Sequence, residues 1–366
     1  MISDSLDPRK LPVNDACSCR LPLGGGLSGR TLTAAPYAHP TWLGHLKIIR
    51  CDHWVKNVFM LPGIIAAMTV EPWAFDSRFL LALFWGTLSM CIVASSNYVI
   101  NEVLDAPYDR YHPTKCRRPV PVGEVSVPWA YVQWIVMLLV GLATATLVSR
   151  PFAVTMGVLW VMGCIYNIPP LRFKDLPYLD VLCEAVNNPL RLMAGWFIVG
   201  STVILPASLL MSYWMIGCYF MAIKRYAEYR DIANPEKAAA YRRSFAHYNA
   251  DRLLVTVMFY GSSAMLFLGA FTVRYHIELI LAYPLVALVM AIYLWIGLKP
   301  NSAAQAPEKL HREPALMASV VACAIVMFWL LIVNIPLVHK IFAPTLPVVA
   351  QTGHSDDAYA TEIRLP

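Results

Sequence analysis

The feature that most constrains the fold is a succession of apolar stretches, each about as long as a bilayer is wide. They fall at about 57–72, 79–99, 129–148, 151–168, 181–203, 204–223, 253–274, 277–298 and 315–336. About 20 apolar residues carry a helix across the hydrocarbon core. Backbone N–H and C=O groups find no water there, so each stretch is predicted to be helical. The first is short and holds Pro62, and the fifth is interrupted by polar residues. Composition agrees: 58% of residues are hydrophobic, 14% are charged, and the mean hydropathy is +0.53. Soluble domains are about 45–50% apolar and about 25% charged, so a water-soluble globule and a largely disordered chain are both excluded. Eleven Trp and eighteen Tyr suit rings placed at headgroup level. The expected fold class is an all-α polytopic membrane protein with nine transmembrane helices.

Residues 1–41 hold no long apolar run after a basic start. They therefore read as a flexible cytoplasmic tail and not as a signal peptide. Residues 42–56 place Trp42, Leu43, Leu46, Ile49 and Trp54 among Lys47, Arg50 and Lys56, the pattern of an interfacial helix. The transmembrane domain is expected over 42–336, with 337–366 as a short non-cytoplasmic tail. With the N-terminus cytoplasmic, 23 of the 29 Lys and Arg fall on the inside, five on the outside, and Arg191 within the membrane. The positive-inside rule then gives N-in, C-out, in a bacterial inner membrane. The nine cysteines show no C-x-x-C and no zinc spacing, so they read as small packing residues. No nucleic-acid partner is expected, and a homo-oligomer is left open.

Two acidic clusters interrupt the apolar pattern. After the second stretch comes N-E-V-L-D-A-P-Y-D, with Asn101, Glu102, Asp105 and Asp109. Residues four apart share a helix face about 6 Å apart along the axis, so Asn101 and Asp105 project together. Pro107 is expected to end or kink the helix before Asp109. Oxygen ligands at the mouth of a span are costly unless a cation compensates. Mg²⁺ fits, because it is held by one or two carboxylates while waters and substrate phosphates complete its shell. A basic run follows: Arg110, His112, Lys115, Arg117 and Arg118. Acid followed by base suggests a diphosphate; the alternative is a juxtamembrane loop whose bases only set topology. His112 reads as structural.

The second cluster follows the fourth stretch. Asp180, Glu184, Asn187 and Arg191 are spaced four, three and four, which places them within about 60° on a helix. Such a stripe must face the bundle interior or a wet cavity. Asp180 and Glu184 are candidates for a second Mg²⁺ and Arg191 for a phosphate; a Glu184–Arg191 ion pair that only locks helices is the alternative. Pro189 is expected to interrupt this helix, and Tyr166, Arg172 and Lys174 lie just before it. A third patch, K-R-Y-A-E, puts Lys224, Arg225 and Glu228 at the end of the sixth stretch. Alone, it reads equally well as an ordinary positive-inside helix end.

The order of spans, N-x-x-x-D-x-x-x-D after the second and D-x-x-x-[DE] after the fourth, resembles the UbiA superfamily of intramembrane prenyltransferases over residues 42–336. Glu102 stands where the usual first motif has Asp. The stretch D-R-Y-H-P-T-K-C-R-R-P-V with K-R-Y-A-E resembles the decaprenyl-phosphate phosphoribosyltransferase branch, to which the nodulation protein NoeC, tied to Nod factor arabinosylation, belongs. This resemblance implies a nine-helix bundle around a cytoplasm-facing cavity. It implies Mg²⁺ on Asn101, Asp105, Asp109, Asp180 and Glu184, the four acids being catalytic. It also implies substrate contacts from Lys56, Arg110, Lys115, Arg117, Arg118, Tyr166, Lys174, Arg191, Lys224 and Arg225. The implied reaction moves 5-phosphoribosyl from phosphoribosyl diphosphate to a polyprenyl phosphate, feeding arabinose-donor lipid synthesis. The first alternative is a prenyl diphosphate donor with an aromatic acceptor. An ion-coupled transporter is the alternative of another class, and the acids' clustering at span ends speaks against it.

Overall fold

A computed structural model describes residues 39–70, 75–109, 115–201, 203–232 and 234–343. Arg110, His112 and most of both predicted tails lie outside the described residues. Among those described, every regular element is helical. In chain order the helices are α1 (Trp42–Lys47), a 3-10 segment (Cys51–Met60) running into α2 (Leu61–Val70), α3 (Ser77–Asp109), α4 (Pro119–Val122), α5 (Val127–Thr146) and α6 (Arg150–Asn167). They continue with α7 (Leu179–Ala185), α8 (Asn187–Ile198), α9 (Ala207–Ile232), α10 (Pro235–Tyr241), α11 (Ala250–Tyr275), α12 (Tyr283–Gly297), α13 (Pro314–Ile332) and α14 (Pro336–Ile341).

Six of these helical stretches are long and apolar enough to cross a bilayer: Ser77–Asp109, Val127–Thr146, Ala207–Ile232, Ala250–Tyr275, Ile277–Gly297 and Pro314–Ile332. The other three predicted stretches are helical but shorter or less apolar. The first is part 3-10 helix, the fourth is α6, and the fifth is split at Val186 into α7 and α8. The split precedes Pro189, which sits in the first turn of α8, where a missing N–H costs little. Apolar side chains of α5, α11 and α13, such as Leu139, Phe259 and Ile325, stay exposed on the outside, as a lipid-facing belt requires.

Two clusters of buried side chains organise the bundle. Ile64, Met90, Phe152, Leu192 and Trp196 join α2, α3, α6 and α8. Met215, Tyr219, Ile223, Val257, Tyr293 and Leu316 join α9, α11, α12 and α13. Lipid tails are as apolar as Leu, so close packing and hydrogen bonds between helices do the joining. Gly63 and Gly195 let α8 touch α2 and the end of the 3-10 segment: a Cβ at Gly63 would lie 1.9 Å from the Leu192 carbonyl oxygen and one at Gly195 2.0 Å from that of Met60. Hydroxyls tie neighbouring helices to carbonyls, as Ser89 does to Gly141 at 2.8 Å and Ser212 to Ala264 at 3.0 Å.

Two sequence expectations are corrected here. The interfacial helix is not continuous over 42–56. It is capped by Thr41, ends after Lys47, and restarts past Arg50, whose φ of 56° is left-handed. Pro107 does not end its helix; α3 runs 33 residues through it to Asp109. A 33-residue helix is about 50 Å long against a core of about 30 Å, so α3 carries the first acidic cluster on turns beyond the hydrocarbon.

Candidate functional site

Asn101 and Asp105 share one face of α3, as their spacing predicts. Asp105 Oδ1 accepts from Arg172 Nη2 at 3.1 Å and from Lys174 Nζ. Lys174 also donates to Asn167 Oδ1 at 2.8 Å, and burial lowers its pKa to about 8 against the opposing pull of Asp105. Among the described residues, Asp105 Oδ2 meets only Asn101 Nδ2, at a long 3.5 Å. Asn101 Oδ1 is buried and has no hydrogen-bond partner among them. Buried polar oxygens are normally satisfied. Two acceptors left open one turn apart fit a hard cation that completes its shell with water and phosphate. Among the described residues, no group of three or more His, Cys, Asp and Glu converges as a full metal cage.

Asp109 is 3% exposed and accepts from Arg118 Nη1 at 2.6 Å. Glu102 points elsewhere on the helix: it is buried and accepts from the backbone N–H of Val120 at 3.3 Å. The side chain that departs from the usual motif therefore pins the 115–123 loop against α3. This loop brings Lys115 onto Tyr241, by a hydrogen bond to its hydroxyl and over its ring at 4.6 Å. Burial lowers the Lys115 pKa. Arg117 is exposed.

The second cluster is built differently. Asp180 is wholly buried. Its Oδ2 accepts from Arg225 Nε at 3.2 Å, Arg242 Nη1 at 3.3 Å and Ser244 Oγ at 3.3 Å, and its Oδ1 accepts from Tyr248 at 2.7 Å. Arg225, itself 1% exposed, donates as well to Glu184 at 2.5 Å and Glu228 at 3.0 Å. Tyr166 donates to Glu184 at 2.8 Å. The predicted stripe divides at Val186. Arg191 turns to Asn57 Oδ1, 3.2 Å away, and to the carbonyl of Asn187, so the alternative Glu184–Arg191 ion pair does not form.

A cavity of about 750 Å³ lies between the two halves of the bundle. The end turns of α3, α6 and α9 wall it with Asn101, Asp105, Tyr166, Lys224, Arg225 and Glu228, and α7 adds Glu184. Lys56, Lys115 and Arg118 complete the predicted residues on its wall. Asp109 and Lys174 line a small adjoining cleft with Arg172, Tyr241 and Arg243. Asp180, Arg117 and Arg191 line neither. The sequence reading missed Arg50, His53, Arg242 and Arg312, all on the cavity wall. His53 accepts from Lys56 Nζ at 2.7 Å; burial and the charges of Lys56 and Arg50 drive its pKa down to about 2, so it stays neutral. Eight Lys and Arg thus face the cavity against five carboxylates. Lys224 and Arg312 are in no ion pair among the described residues.

The architecture is that of a helical membrane protein with acidic helix ends facing a basic cavity. A profile of the UbiA prenyltransferase family matches residues 59–320, and the chain belongs to that family. It is 29% identical over 213 residues to the decaprenyl-phosphate phosphoribosyltransferase of Corynebacterium glutamicum, covering 56% of this chain and 60% of that one. It is 29% identical over 177 residues to the uncharacterized protein y4nM of Sinorhizobium fredii, covering 48% of this chain and 32% of that one. Both matches therefore span less than two thirds of the relative. The nodulation protein NoeC of Azorhizobium caulinodans is 24% identical over 232 residues, 63% of this chain and 72% of that one. The fold is similar to that of a UbiA homolog from Archaeoglobus fulgidus solved bound to DMAPP and Mg²⁺. The TM-score is 0.59 at 23% identity, over 80% of this chain and all of that chain.

Proposed function

We infer that this protein is a Mg²⁺-dependent intramembrane transferase that moves 5-phosphoribosyl from phosphoribosyl diphosphate to a polyprenyl phosphate. The observation that carries the reading is the charge of the cavity. Eight Lys and Arg stand against five carboxylates on its wall, and the excess of positive charge suits a donor with a further phosphate and an acceptor with its own. Relatives named decaprenyl-phosphate phosphoribosyltransferase, 29% and 30% identical to this chain, support it. A prenyl donor with an aromatic acceptor is the second reading, supported by a 24% identical relative named homogentisate phytyltransferase.

Asn101 Oδ1 and Asp105 Oδ2 would hold Mg²⁺. Bound there, the ion would neutralise the leaving diphosphate as a Lewis acid. Arg172 and Lys174 fix the Asp105 carboxylate from behind, so that its open oxygen keeps its aim. Lys115 and Arg118 steady the diphosphate from the loop. Lys224, in no ion pair among the described residues, and Lys56, turned by neutral His53, take the remaining phosphates. The bond from ribose C1 to the diphosphate oxygen breaks with its electron pair going to diphosphate. A phosphate oxygen of the lipid forms the new bond to C1. That oxygen is already ionised at neutral pH, so no general base is required.

In this reading the nine predicted stretches form the bundle, the N-terminus and the cavity face the cytoplasm of a bacterial cell, and the product feeds arabinose-donor lipids, Nod factor arabinosylation among their uses. The test is to incubate membranes containing the protein with Mg²⁺, polyprenyl phosphate and radiolabelled phosphoribosyl diphosphate, beside Asp105→Ala. Label is expected in the lipid phase only with Asp105 intact, the variant losing roughly 100- to 1000-fold. Transfer from prenyl diphosphate to an aromatic acid instead would replace the donor and retain the cavity.

A further inference from the structure

The two acidic clusters do not offer a metal the same thing. At the first, Asn101 Oδ1 has no partner among the described residues and Asp105 Oδ2 only a long one. At the second, both oxygens of Asp180 are taken by four donors, and Asp180 is absent from the cavity wall. One oxygen each of Glu184 and Glu228 is taken by Arg225. The Arg225 guanidinium reaches three carboxylates through its three nitrogens, Nε to Asp180, Nη1 to Glu228 and Nη2 to Glu184. Arg242 adds a second cation to Asp180, and Lys224 stands on the wall shared with Glu184 and Glu228. Two guanidinium groups already pair with the three acids. A divalent ion added there would face a buried guanidinium it cannot displace without leaving that charge unpaired.

We propose that Arg225 is a built-in cation occupying the place of a second Mg²⁺, so that the protein carries one divalent ion, at Asn101 and Asp105. Arg225 is then a positioning residue. It holds Glu184 at the cavity edge and closes Asp180 off, and it binds no substrate phosphate. The inference rests on the metal-dependent reading above but not on the identity of the donor. The second acidic motif thereby becomes a fixed internal ion-pair network, and only the first responds to added metal.

The test counts metal. Purified full-length protein in detergent is dialysed to equilibrium against Mn²⁺, with and without inorganic pyrophosphate, and bound Mn²⁺ per chain is measured by elemental analysis. One Mn²⁺ is expected for the wild type, one for Glu184→Gln and none for Asp105→Asn. Two in the wild type, with one lost in Glu184→Gln, would overturn the proposal. So would a single ion lost in Glu184→Gln and retained in Asp105→Asn, or no ion in the wild type. Thermal unfolding of each variant distinguishes a lost site from a lost fold. One Mn²⁺ without phosphoribosyl transfer would sink the donor reading alone; transfer with two Mn²⁺ would sink this one alone.

Discussion

The clusters at 101–109 and 180–184 look alike as strings of letters, yet one is open and the other closed. The first sits on the end of a single helix, with Asn101 Oδ1 left without a partner among the described residues. The second lies between α7 and α9, where a buried guanidinium reaches across 41 and 45 residues of sequence to Glu184 and Asp180. An acidic motif states that charge must be compensated; what compensates it is chosen by the elements packed opposite. Where those occupy both oxygens of an acid, as at Asp180, the motif holds structure together. Where they leave oxygens bare, it can take a metal.

The largest effect that separates the two regions is on the fold. Arg225→Met removes the cation common to Asp180, Glu184 and Glu228 and is expected to cost about 3–5 kcal/mol, read as a collapse in Tm or in folded yield in detergent. Arg225→Lys rescues only part, because an ammonium cannot reproduce the three-way fork. Asp105→Asn keeps an oxygen for Arg172 and Lys174 but removes their charge partner, so it is expected to lower Tm less than Arg225→Met while losing transfer. If both variants lost stability equally, the contrast between the clusters would be wrong.

Next come the neighbouring arginines of the 115–123 loop. Arg118 lies on the cavity wall and is paired with Asp109, so Arg118→Ala should lose roughly ten- to a hundredfold in kcat/KM, the value of a charge-assisted hydrogen bond. Exposed Arg117 should change it by about twofold or less on replacement by Ala. A reversed order would place the phosphates outside the cavity.

The smallest effect is a pH dependence on the basic side of the cavity. His53 has a folded pKa of about 2 against the usual 6.5, so only the unfolded chain binds its proton between those values. The contribution to stability is complete above about pH 6.5 and is lost as the pH falls. The loss should reach about 1 kcal/mol by pH 5.5. Tm measured from pH 7.5 to 5.5 should fall more steeply for the wild type than for His53→Gln.

Much of the site was legible because helix spacing is a local property. Asn101 with Asp105, and Asp180 with Glu184, were paired by the four-residue repeat, and the basic residues at 115–118 and 224–225 by their nearness to span ends. Pro107 misled, because a proline near a helix end costs one hydrogen bond, and the packing of Glu102 and Asp109 holds the last turns regardless. Arg50, Arg242 and Arg312 were missed. Each looks in sequence like any positive-inside residue, and nothing nearby marks it as facing a cavity.

The sequence by itself determined the solvent. Continuous apolar runs of about 20 residues force a helical bundle, since a run of that length satisfies its own backbone hydrogen bonds in lipid as a helix, and acids at the run ends mark where polar chemistry must sit. Only the tertiary structure decided which acids stay open. That depends on which cations are brought across 40 to 70 residues of chain to meet them, as Lys174 is to Asp105 and Arg242 to Asp180. A carboxylate's partner is fixed by distance in space, and sequence spacing reports that distance only within one helix.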